Sequence, residues 1–335
     1  MKSLRKNKIA YLYCAALVLL VISMALGVLL GSTRLSLSSA MADIFGGNVD
    51  SADARILIYV RLPRVLAALI CGMALAMSGA VIQGVLANRL ASPSIIGVNA
   101  GAGLAVTLCS AFGLIGGWQL SIFSFVGAFA TVLLVSIGAK KWGASRGTVI
   151  LMGVALNALL GAISDTVTTF APEISVMRND FKIGDFSAVT YTKVLPAAAL
   201  ILIAILILIT LSNDLDVLTL GDENAKGLGL NTGVARVVFL LLSALLAGAA
   251  VSVCGLLSFV GLLVPHAVRR IGASESKHLI PLCALFGAGF VTLCDTLARI
   301  LFAPYELPVG IIMAFLGAPF FIFILLRGKG GHRNA

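Results

Sequence analysis

The chain has 335 residues, of which 60% are hydrophobic and 11% charged, with a mean hydropathy of +1.08. This excludes a soluble globular domain and implies a polytopic, all-α membrane protein. The formal charge of +10 does not point to nucleic acid, because the basic residues are scattered in short loops between apolar segments rather than gathered on one face.

Taken in order, the apolar segments run Ile9 to Leu30, Leu62 to Leu86, Ser94 to Ile115, Leu120 to Ala139, Thr148 to Phe170, Val194 to Leu211, Val237 to Val268, Leu279 to Phe302 and Leu307 to Leu326. A crossing needs about 20 apolar residues. The first follows Lys2, Arg5, Lys6 and Lys8, the form of a signal peptide, but its length and the lack of a small-x-small site favour a retained helix. The run from Val237 to Val268 would make a helix of about 48 Å, too long for one span and short for two. Gly255, Ser258, Gly261 and Pro265 fall in its second half, where a break is easiest.

Charge decides between one span and two. With two, there are ten helices and both termini are cytoplasmic, and sixteen of the 24 Lys and Arg residues lie inside. With one, eleven do, against the positive-inside bias.

Between the helices, the outer stretch Gly31 to Arg61 is Ser/Asp-rich with room for a short amphipathic segment. The second outer stretch, Ala171 to Lys193, mixes Glu173, Asp180 and Asp185 with Arg178 and Lys182. Inside, Ser212 to Arg236 reads as two short amphipathic helices broken by glycine, a shape suited to docking a partner. A solvated connector is the plainer reading. Gly72 and Gly79 are echoed by Gly248 and Gly255 five helices later, as an inverted repeat would place them.

Few polar groups lie within the spans: Gln83, Asn99, Asn157, Asp165, Asp295 and, at an inner boundary, His266. Asp165 and Asp295 are candidate ion sites of a secondary transporter, or carboxylates bonded near helix ends. His266 has no nucleophile or metal ligand at catalytic spacing and reads as a bracing residue. The six cysteines show neither a CxxC pair nor metal-site spacing. Walker A, HExxH and GxSxG are all absent, so no catalytic residue, metal ligand or resident cofactor is expected. Any ATP hydrolysis belongs to another chain. Arg61, Arg64 and Arg299 fall on the outer side, where cations need a reason: an acidic docking partner or lipid phosphate.

The stretches RLPRVLAALICGMALAMSGAVIQGVLANRLASPSIIGVNAGAG (61–103), SRGTVILMGVALN (145–157), LTLGDENAKGLGLN (218–231), LLSFVGLLVPHAVRR (256–270) and ELPVGIIMAFLGAPFFIFILL (306–326) resemble the FecCD family, the permease subunits of ABC importers for iron chelates and vitamin B12. The resemblance implies a type II ABC importer permease fold in the cytoplasmic (inner) membrane of a bacterium. It spans a single domain: a tail at 1–8, a ten-helix bundle over 9–326 and a tail at 327–335. It implies as partners two cytoplasmic ATPases, which bind the ATP and Mg, an extracytoplasmic binding protein and a second permease. Arg61, Arg64 and Arg299 match positions that present cations to glutamates of the binding protein. Asn88, Leu90, Ala144 and Ser145 match the inner gate. Leu215, Leu218, Gly221, Asp222, Ala225, Gly229 and Leu230 match the coupling helices that seat on the ATPase. Arg89 stands where relatives usually carry proline, and FKIGDF replaces a tryptophan-containing outer loop. The cargo expected is a metal chelate, a ferric siderophore ahead of haem or cobalamin. The rival from another class is the ion-coupled transporter using Asp165 and Asp295.

Overall fold

The structure is a computed structural model that describes residues 2–33, 35–47, 49–141 and 145–328. Among these there is no strand. The helices are α1 (Lys2–Leu29), α2 (Leu37–Phe45), α3 (Ala52–Arg55), α4 (Leu62–Val85), α5 (Val98–Ala111), α6 (Gly117–Lys141), α7 (Arg146–Phe170), α8 (Ser175–Ile183), α9 (Tyr191–Thr210), α10 (Ser212–Thr219), α11 (Asp222–Gly227), α12 (Thr232–Cys254), α13 (Val260–Arg270), α14 (Ser276–Ile300) and α15 (Val309–Gly328). The crossings are α1, α4, α5, α6, α7, α9, α12, α13, α14 and α15.

The long apolar run does break. α12 ends at Cys254, Gly255 adopts φ +71° and Phe259 φ +66°, and α13 begins at Val260. Packing checks the count independently. Lys8 lies beside Gly272, and Tyr13 beside His278, at one end of α1. At the other, Arg299 donates to the Gly27 carbonyl and Ser32 to Glu306. Helices α1 and α14 are therefore parallel, as first and ninth crossings must be; with an unbroken run α14 would be the eighth and antiparallel. Ten crossings leave both termini on the inner side.

Two crossings are helical over only part of their length. α5 has 14 residues and α13 has 11, about 21 and 16 Å at 1.5 Å per residue, against an apolar core of about 30 Å. The remainder is a 3-10 turn at Pro93–Ile96 closed by Gly97 at φ +95°, and non-helical backbone at Gly255–Phe259. Irregular backbone survives at membrane depth only where protein surrounds it, and Pro93, Ile96, Gly97, Gly255 and Leu257 are all buried.

Helix α4 is the centre, with 89% of its most apolar window buried, against 17% for α1 and α7. Its close contacts use glycine. A Cβ on Gly79 would lie 2.0 Å from the Gly261 carbonyl oxygen of α13, and one on Gly72 2.3 Å from that of Gly287 in α14. Gly248 of α12 in turn faces Ala128 and Phe125 of α6. Thus α4 packs on the helix that follows α13, and α12 on the helix that follows α5, the exchange an inverted repeat produces.

α4 also continues outward through a π-helical turn, Ile56–Arg61, into α3. Pro63 supplies no N–H and would crowd a regular preceding turn; the wider turn, in which the Leu62 amide bonds the Leu57 carbonyl, absorbs this. The amphipathic segment expected in the first outer loop is α2, capped by Ser36. The second outer loop holds α8, which periodicity did not single out.

Candidate functional site

The three outer arginines converge, but inward. Arg61 and Arg64 are each 3% exposed and Arg299 2%. Arg61 donates to the carbonyls of Val28, Leu29 and Thr33, each at 2.7 Å. It thereby satisfies the last turn of α1, where orphan carbonyls and the helix dipole favour a cation. Arg299 adds the Gly27 carbonyl at 3.0 Å. Arg64 is the hub for carboxylates from three elements: Asp295 at 2.9 Å, Glu306 at 2.6 Å and Asp185 at 3.8 Å. Asp295, fully buried, also faces Arg299 at 3.2 Å. Burial raises the Glu306 carboxyl, but the Ser32 hydroxyl and the Arg64 guanidinium outweigh it and hold the group below its usual range. In this conformation each guanidinium is engaged from within the chain, by Asp295, Glu306 or the end of α1, although Arg64 Nη2 and Arg299 Nε complete no hydrogen bond.

The candidate ion carriers are likewise engaged. Asp295 is held between two arginines, and Asp165 is an exposed carboxylate at the outer end of α7 that accepts from Arg178. The intramembrane amides brace backbone breaks. Asn157 donates to the Ser94 carbonyl at 2.9 Å, and Gln83 to the Gly261 carbonyl at 3.1 Å, each supplying a bond that the interrupted helix cannot. Arg269 in turn donates to the Gln83 side-chain oxygen.

At the inner end, α4 terminates in a tight turn with Ala87 at φ +47°. Asn88 and Leu90 are exposed, and the Asn88 side chain accepts from the Leu90 amide at 2.9 Å. Ser145 caps α7 by accepting from the Thr148 amide at 3.1 Å. Ala144 lies outside the described residues. Arg89 is exposed and lines a small cleft with Leu90, His266 and Phe320; His266 meets Phe320 edge-on at 6.5 Å.

The inner loop forms the two short helices expected, α10 and α11, hinged at Gly221 with φ +101°. Three of the residues expected to seat on the ATPase face inward. Leu215, Leu218 and Ala225 are no more than 1% exposed; Leu215 packs on Gly84 of α4, so the apolar stripe anchors the pair to its own bundle. Polar ties complete the bracing. Arg236 of α12 binds Asp222 at 2.8 and 2.9 Å, Arg146 of α7 donates to the Leu218 carbonyl at 2.8 Å, and Asp216 accepts from the Ser276 amide and hydroxyl at the start of α14. Gly229 is exposed and Leu230 half-buried. The large apolar groups facing outward are Leu220 and Leu228, 56% and 66% exposed.

A cavity of about 460 Å³ lies between α5, α7 and α8, with Asn99 and Asn157 in its wall and Asp165, Arg178 and Lys182 at its rim.

The chain matches the FecCD transport family over residues 19–327. It is 38% identical to the hemin transport system permease protein HmuU of Yersinia pestis, covering 90% of this chain and 92% of that one. It is 33% identical to the Fe(3+)-citrate import system permease protein YfmD of Bacillus subtilis (strain 168), covering 97% of each. A solved structure, described as an inward-facing conformation of a transporter assigned to the metal-chelate type of ABC transporter, superposes with a TM-score of 0.82 at 31% identity, over 95% of this chain and 99% of that one. With its ten crossings, broken helices and braced inner loop, the chain is a multi-pass membrane permease belonging to the FecCD transport family.

Proposed function

We propose that this permease serves an ATP-driven, binding-protein-dependent importer in the cytoplasmic membrane of a bacterium, with a ferric siderophore as its cargo and haem or cobalamin as alternatives. The observation that carries the reading is the α10–α11 pair. It is braced to α4, α7, α12 and α14 on one side while Leu220 and Leu228 stand free on the other, in a chain without a nucleotide-binding motif. Two cytoplasmic ATPases seat there and carry the ATP and Mg, so this domain needs no cofactor of its own. The bracing passes their movement to the gate, because Arg146, which follows Ser145 of the gate set Asn88, Leu90, Ala144 and Ser145, donates to the Leu218 carbonyl. A second permease completes the passage, and nucleotide state selects between access states through differential contacts at α10–α11.

On the outer side, the binding protein docks over the cluster of Arg61, Arg64 and Arg299. Since Arg64 already holds Glu306, an acidic group of the binding protein engages it by exchange with that carboxylate. The relatives for hemin and ferric citrate support an iron-containing cargo.

Proteoliposomes containing the permease, the ATPases and the binding protein test the reading with a radio-iron-labelled ferric siderophore. Uptake should persist with an uncoupler and stop when the ATPase chain is omitted. Uptake that collapses with the uncoupler while ATP is present would sink it in favour of ion coupling.

A further inference from the structure

The cavity between α5, α7 and α8 has a chemistry of its own. Arg178 and Lys182 are four residues apart on α8 and so share one face, which forms the cavity rim with Asp165. Asp180 is on the other face and lines a separate cavity of about 390 Å³. The Arg178 side chain is only 13% exposed, whereas Asp165, its partner, is 70% exposed. One carboxylate against two cations leaves the rim with a net positive charge. Deeper, the Asn157 side-chain oxygen is buried without a partner in the protein, while its amide nitrogen is committed to the Ser94 carbonyl. Asn99 shares that wall.

We propose that this cavity is a weak substrate station for a metal chelate of net negative charge, taken up rim first. Lys182 and Arg178 attract the anionic oxygens of the chelate. A passage site must bind well enough to admit cargo and weakly enough to release it. Two partly solvated cations, one already shared with Asp165, meet that requirement; a dry, fully charged pocket would trap the anion. The inference rests on the metal-chelate reading above and adds the sign of the cargo's charge.

The test is a charge series in the assembled permease–ATPase complex in nanodiscs, without binding protein. The readout is equilibrium binding of two radio-iron probes: anionic ferric citrate and a charge-neutral cyclic ferric trihydroxamate. Lys182 and Asp165 are both exposed, and one unit charge at about 4 Å in bulk-water dielectric changes an equilibrium about fivefold. Lys182→Gln should weaken ferric citrate binding by about that factor, and Asp165→Asn should strengthen it by a similar one. Asp180→Asn, on the opposite face, should leave it unchanged, and the neutral probe should respond to none of the three. A general effect of surface charge would move Asp180→Asn as well, and loss of structure would weaken binding in every variant; either pattern overturns the station. So does an unshifted series when the complete transporter, in proteoliposomes with its binding protein, still imports the probes with ATP, which leaves the metal-chelate reading intact. A complete transporter that imports neither iron probe refutes that reading itself, and the station with it.

Discussion

Replacing Asp295 by asparagine tests whether the outer arginine cluster holds the fold together. Asp295 is fully buried and the only carboxylate within ion-pair distance of Arg299 among the described residues. Arg64 retains Glu306 at 2.6 Å after the change, but Arg299 is left with the Gly27 carbonyl and a long contact to Thr296. Removing one member of a buried ion pair costs about 3–5 kcal/mol, mainly because the other charge remains buried; the Asn carbonyl still accepts one bond, which sets the expectation near 3 kcal/mol. Glu306→Gln should cost about 1 kcal/mol or less, since that side chain is 29% exposed and water replaces the lost partner. Equilibrium unfolding in mixed micelles with rising SDS, followed by circular dichroism, measures both. The double variant Asp295→Asn with Arg299→Met removes the orphaned charge and should recover part of the loss. A loss below about 1 kcal/mol for Asp295→Asn, or no recovery in the double variant, would refute the reasoning.

Other outcomes follow from particular contacts. Gly79→Ala places a Cβ against the Gly261 backbone, which cannot yield as a side chain would. It should cost about 3 kcal/mol, the upper end of overpacking penalties, in the same unfolding assay, whereas Gly161→Ala, with open space around it, should cost nothing. Gly221→Val meets no neighbour but forces a branched residue into φ +101°, about 1–3 kcal/mol of strain at the α10–α11 joint. The assembled transporter should keep ATP hydrolysis and lose uptake, and unchanged uptake per ATP would count against coupling there. The Glu306 carboxyl is depressed in the folded state, so its stabilisation is complete above the unfolded value of about 4.3 and disappears as pH falls through the lower folded value. The stability gap between the wild type and Glu306→Gln should therefore be constant at neutral pH and close below about pH 4; a gap that widens on acidification would contradict the sign.

Some of this was legible along the chain because hydropathy, charge asymmetry and glycine placement are local properties. They set the membrane class, the ten crossings, a break in the second half of the 237–268 run and a glycine break within the inner loop; the structure placed the two at Gly255–Phe259 and Gly221. They also placed Arg61, Arg64 and Arg299 at one end of the molecule, since each lies at the same end of its own span. What they could not supply is a partner. Arg64 and Asp295 are separated by 231 positions, and no periodicity links residues so far apart; only the antiparallel packing of α4 against α14 brings them together. For the same reason Asn157 and Gln83 were only polar groups within apolar spans until the backbone carbonyls they bond lay beside them. Leu215 and Leu218 looked like a docking stripe because an amphipathic helix reads identically whether its apolar face meets a partner or its own bundle. Sequence determined which segments cross and where they bend; the tertiary structure decided which polar group answers which, because that depends on contacts between helices rather than on the order of residues within one.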